Sequence, residues 1–162
     1  MTAAGVWALW PSSRPTYDPP HNTRQYIAFT ACLLTGPAGL ADPRARAVWS
    51  GMQAASSATN AQVSYVAAAV GQAETIGSVT PFANSLVQQR CGVIVAVGPV
   101  EVATMQAVAA GHAEGRFVLV GGGSAASNIA VVPPSGGSSI ASRVQVAVQA
   151  AVRGSFRSGV FS

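Results

Sequence analysis

Residues 91–123 read CGVIVAVGPVEVATMQAVAAGHAEGRFVLVGGG, and this stretch changes character twice. Cys91–Gly98 is apolar nearly throughout, as a strand covered on both faces is. Pro99 then suits the first position of a helix, since its ring fixes φ and its missing N–H would be unpaired there anyway. Val102, Met105 and Ala109 follow at helical spacing, so one face of that helix packs down on the sheet. The connection AAGHAEGR leads into a second apolar strand, RFVLVGGG. Strand, helix and strand in this order predict parallel strands joined by a right-handed crossover.

The same alternation extends in both directions. YIAFTACLLT, residues 26–35, reads as the first strand, with Asp42 as cap and Pro43 as first residue of the next helix. Ala45, Val48, Trp49, Met52 and Ala55 mark the buried face of that helix. QVSYVAA, residues 62–68, reads as the second strand. Thr80 is then expected to cap, and Pro81 to open, a helix with Phe82, Leu86 and Val87 buried. NIAVV, residues 128–132, is a short fifth strand. Ser138 or Ser139 caps a last helix whose apolar face is Ile140, Val144, Val148 and Val152. The expected fold is a three-layer α/β/α sandwich with a mostly parallel five-stranded sheet in the flavodoxin-like order 2-1-3-4-5. Residues 25–154 form this domain. Residues 1–24 precede it as an apolar run and a Pro-rich linker, and 155–162 follow as a tail whose Phe156 and Phe161 need burial.

Composition narrows the function classes. The chain is 49% hydrophobic and 9% charged, against roughly 25% charged in typical globular chains, which excludes disorder. Its net charge of +4 rests on nine arginines and five acids, with no lysine. Only Arg44 and Arg46 lie close together, so the clustered basic stripe of a nucleic-acid-binding surface is missing. The opening MTAAGVWALWPSSRP reads either as the last turns of a signal-anchor helix or as an unpacked apolar end.

The usual catalytic patterns are missing. A P-loop needs a lysine, and this chain has none. The turn TGPAGLAD lacks the glycine spacing of a dinucleotide fingerprint. GGGSAA, residues 121–126, reads as a flexible rim loop, and its Ser124 lies outside any G-x-S-x-G elbow. Asp42 and Glu101 are explained by their places in first helical turns. His112 falls in a loop on the amino-terminal side of the sheet, away from the expected ligand side. No metal-ligand spacing and no cofactor motif is present, so the expectation is a binding domain rather than an enzyme. Cys32 and Cys91 fall on neighbouring strands but about three residues out of register, roughly 10 Å at 3.3 Å per residue. A disulfide needs Cα atoms within about 7 Å, so a bridge and two buried thiols both stay open.

ACLLTGPAGLADPRARAVWSGMQAAS, residues 31–56, resembles the opening of the basic membrane protein family. These are bacterial extracytoplasmic substrate-binding proteins, often lipoproteins, that deliver nucleosides to ABC transporters. Thr35 and Gly39 match the family's turn T-D-x-G-G-x-x-D-x-S-F-N, and Trp49, Ser50 and Gly51 stand where it carries W-E-G. Val97 and Gly98 match a later V-G, Phe117 opens the fourth strand, and Asn128 matches an N-V position. The likeness runs from Tyr26 to about Val132, one lobe of a two-lobed protein. It implies a ligand cleft at Thr35, Gly36, Arg44, Gly98, Pro99, Gly121, Gly122 and Ser124. The family's turn acid falls at Gly36, its phenylalanine at Pro99 and its strand-four acid at Gly121, so the implied site is degenerate. A nucleoside-like ligand, a membrane transporter partner and an exported or anchored parent follow from the resemblance. The alternative is an interaction module that dimerises through the face a second lobe would cover.

Overall fold

The computed structural model describes residues 24–68, 73–134 and 139–161. The N-terminal apolar run with Trp7 and Trp10, most of the linker with His21, and Ser138 lie outside them. The elements are β1 (Thr30–Thr35), α1 (Pro43–Thr59), β2 (Gln62–Ala67), α2 (Ile76–Gln88), β3 (Val93–Val97), α3 (Pro99–Ala109), β4 (Phe117–Val120), β5 (Ile129–Val132), α4 (Ile140–Val152) and β6 (Gly159–Val160). A short 3-10 turn, Gly39–Ala41, stands between β1 and α1. The sheet has six strands in the order 2-1-3-4-5-6, one more than the sequence suggests, and every pair is parallel.

The sixth strand comes from the stretch expected to be a tail. Gly159 and Val160 pair with Ala130 and Val131, and Phe161 N–H donates to the Val131 carbonyl at 2.8 Å. Phe156 and Phe161 pack on the chain's own core. Two residues of strand carry too weak a periodic signal to be read from sequence; an existing edge at β5 gives them their partner.

Period-two alternation divides the core between the faces. Ala31, Leu33, Val93, Val95, Val118 and Val120 point toward α1 and α4. Cys32, Leu34, Ile94, Ala96, Phe117 and Leu119 point toward α2 and α3. The central strands β1, β3 and β4 are therefore apolar on both sides, which is why their sequences show no polar alternation. Asp42 caps α1 by accepting from Arg44 and Ala45 N–H at 2.8 and 2.9 Å. Gly51 lets α1 approach α4, because a Cβ there would meet the Ala141 backbone carbonyl. Trp49 packs edge-on against Tyr65 of β2.

Helix α2 differs from expectation. It begins at Ile76, not Pro81, with Thr75 as its cap. Thr75 accepts from Ser78 N–H at 3.2 Å, and Ser78 accepts from Thr75 N–H at 2.9 Å. This reciprocal box nucleates the helix a turn early. Pro81 is tolerated inside because it is exposed, and its missing N–H leaves the carbonyl of a solvent-facing Gly77. Phe82 and Val87 are partly buried, while Val79, Ala83 and Leu86 form the buried stripe.

Cys32 and Cys91 form a disulfide with Cα atoms 5.9 Å apart. The register pairs Ala31 with Val93, so the offset of three residues is real. Cys91 nonetheless lies before β3 begins, just after Arg90 in a left-handed conformation, and packs on the α2/α3 face. The extended-chain distance does not apply to a residue outside the strand.

Candidate functional site

The carboxyl ends of β1, β3 and β4 open into two adjoining clefts of 390 and 250 Å³ that share Arg44, Gly98 and Pro99. Gly121, Gly122, Gly123 and Gln106 border the larger one, and Gly36, Asp42, Glu74 and Glu101 the smaller. A parallel sheet places its ligand crevice outside these strand ends. Of the eight residues the resemblance implies, Gly36, Arg44, Gly98, Pro99, Gly121 and Gly122 line the clefts. Thr35 is buried and its hydroxyl donates to the Gly36 carbonyl at 3.1 Å. Ser124 is exposed on the rim, and its N–H donates to the Gln106 side chain at 3.1 Å, tying the glycine loop to α3.

The most distinctive group is one that sequence reasoning assigned to a helix terminus. Glu101 is 1% exposed, and its Oε1 has no hydrogen-bond partner. Glu74, from the segment before α2, brings a second carboxyl beside it whose Oε1 is equally buried and unpartnered. Both oxygens approach the place where a Cβ on Gly36 would stand, Glu101 at 3.4 Å and Glu74 at 3.6 Å. Gly98, at φ +116°, completes the cradle, because any side chain there would collide with Glu101 Oε2. A carboxylate buried this deeply is strongly disfavoured, so the group takes up a proton. Burial raises Glu101 from the ordinary 4.5 to about 8; a hydrogen bond with the Glu74 carboxyl and its charge push the same way, against a backbone hydrogen bond that favours the carboxylate. At neutral pH Glu101 carries a proton that it can give up when a cation arrives.

Glu101 stands four and eight residues before Met105 and Ala109, on the stripe that packs against the sheet. That spacing was the available signal, since a carboxyl on a buried stripe is seldom placed there for packing. Glu74 gave no such signal, because a β–α connection has no period. Arg44 lies on the first turn of α1, exposed, with its guanidinium near Gly121 at the end of β4. Among the described residues no group of three or more His, Cys, Asp or Glu is placed to hold a metal ion.

No family model and no curated protein matches the chain. Among solved structures it is similar to ABC transporter solute-binding proteins from Aeropyrum pernix K1, at 14% identity and a TM-score of 0.52. That match covers 65% of this chain and 28% of the other, so the chain spans under a third of that protein's length. It is also similar to a fragment, a "putative lipoprotein" from Peptoclostridium difficile 630, at 12% identity and a TM-score of 0.59, covering 78% of this chain and 98% of that one. Identities this low establish a shared periplasmic-binding-like fold and do not single out the basic membrane protein family.

Proposed function

We propose that this chain is a non-enzymatic, solute-binding lobe of an extracytoplasmic protein that works with a membrane transporter. The observation that carries the reading is the buried carboxyl pair at Gly36, the position where the resembled family keeps its turn acid. Here Glu74 and Glu101 bring carboxyls from other elements to the same place. A site left with unpaired buried polar groups gains most from a ligand that pairs them. Nucleosides, the class the resemblance implies, present hydroxyl donors of this kind. An exported location is supported by the disulfide, since such bonds persist in oxidising compartments. Among the described residues no helix is long and apolar enough to cross a membrane.

The test is a thermal melt against nucleosides, nucleobases, sugars and amino acids at about 1 mM. A solute bound with a Kd near 10 μM adds about 2.7 kcal/mol, a shift on the order of 5 °C or more. A shift with any class supports the reading, and a flat panel overturns it at that affinity. The second reading is a homodimer that closes the cleft, open at the carboxyl ends of β1, β3 and β4, with another copy. Phe156 and Phe161 are not available to such an interface, being packed on the chain's own core. Light scattering across a hundredfold concentration range decides it: a mass that doubles supports the dimer, a constant monomer mass removes it.

A further inference from the structure

The smaller cleft brings acidic and basic side chains together, with Glu74, Glu101 and Arg44 all on its lining. At the end of β1 lie the two carboxyls, converging on Gly36. The end of β4 holds the Arg44 guanidinium, whose Nη1 is 3.8 Å from the place of a Cβ on Gly121. Only β3 stands between β1 and β4, so the two strand ends are about 10 Å apart at ordinary strand spacing. Glu101 adds the observation that points to a ligand: it is almost wholly buried, borders the smaller cleft, and has an oxygen with no partner.

We propose that the solute is a small zwitterion of the α-amino-acid class, its ammonium group received by Glu74 and Glu101 and its carboxylate by Arg44. This rests on the solute-binding reading above and narrows its ligand. An ammonium group donates three hydrogen bonds, which the unpartnered oxygens of the pair can accept. Arg44 borders the same small cleft as Glu74 and Glu101, so one small ligand carrying both charges can meet acid and guanidinium together. A simple amine would leave its far end against Arg44, and a simple carboxylate would meet the two acids. The glycines around the site serve the same purpose. Gly98 leaves room for the Glu101 carboxyl, and Gly121 and Gly122 border the larger cleft beside Arg44.

Binding is also linked to protons. Among the described residues, the charged groups on this cleft besides Glu74 are Asp42, whose carboxylate is engaged in capping α1, and Arg44. An ammonium group meets a protonated Glu101 poorly, so its proton leaves on binding. Affinity therefore rises between pH 6 and 8, before the ligand's own ammonium begins to titrate.

The experiment is calorimetric titration of the full chain with the amino acid that gives the largest thermal shift, with that amino acid's N-acetyl and methyl ester forms, and with adenosine and cytidine. The free amino acid is expected to bind, and each blocked form to lose roughly tenfold or more, since each removes one charge-assisted contact. Arg44→Ala, on an exposed side chain, should bring the free amino acid down to the level of its ester. Glu101→Gln should weaken binding and flatten its pH dependence, which in the parent chain should reach roughly tenfold or more. Equal binding of free and N-acetylated forms overturns the proposal. So does binding of the nucleosides without any amino acid, an outcome that leaves the solute-binding reading intact. A flat response to every class overturns both.

Discussion

The two ends of the sheet follow opposite rules. At the amino-terminal end the polar groups are tied. Asn128 donates to the Ala109 and His112 carbonyls at 3.0 and 2.9 Å, Arg116 donates to the Gly92 carbonyl at 3.4 Å, and the Cys32–Cys91 bridge joins β1 to the approach to β3. At the carboxyl-terminal end, buried Glu101 and half-buried Glu74 each keep an Oε1 unpaired, beside Gly98, which admits no side chain in its place. One end contributes stability. The other opposes it, as sites arranged for a ligand commonly do.

The contrast is open to direct attack, beginning with the bridge. It closes a loop of sequence separation 59, which in the chain-entropy picture contributes about 4 kcal/mol. Reduction should lower Tm by roughly 10 °C, read by differential scanning calorimetry with and without reductant. A loss of only a degree or two would mean that the amino-terminal end does not owe its stability to the bridge.

Next is the pH profile of the carboxyl end. Because the folded state raises Glu101 from 4.5 to about 8, it holds the proton more tightly than the unfolded chain does. Stability from this group is therefore fully present below about pH 4.5 and lost as pH rises toward 8, by a few kcal/mol. Denaturant titrations at pH 5 and pH 8 should show the fall, and Glu101→Gln should remove most of it. An unchanged slope in that variant would place the titrating group elsewhere.

A smaller effect is expected at Asn128. Replacement by Ala leaves two loop carbonyls without their donor and should cost about 1–3 kcal/mol, with no change in the pH profile. Smallest is Thr75→Ala, which breaks the α2 capping box beside Glu74 and should cost about 1 kcal/mol. If that variant also shifts the Glu101 titration, the cap positions Glu74 as well as starting the helix.

The legible parts were those with a period. β3, α3 and β4 appear in the sequence as apolar runs and a stripe at helical spacing, and the Asp42 cap and the first-turn Pro99 mark helix starts through local chemistry. Helix α2 was misplaced because Thr80-Pro81 offers a start signal that the Thr75/Ser78 box pre-empts. Within the site, Gly36, Gly98 and Gly121 could be named from their strand ends. Glu74 and Glu101 could not be paired, because they lie 27 positions apart and only the flanking of β1 by β2 and β3, with α2 packed on α3, brings their elements together.

The sequence by itself determined the layering, the parallel order of the first five strands and the end of the sheet at which a ligand would sit. Those depend on hydrophobic period and on handed connections, which each short segment carries within itself. Only the tertiary structure decided the sixth strand, the disulfide and the carboxyl pair, since each depends on how distant backbones approach. A charge is written in the sequence as a letter, but whether it is solvated or stranded is a property of what folds around it.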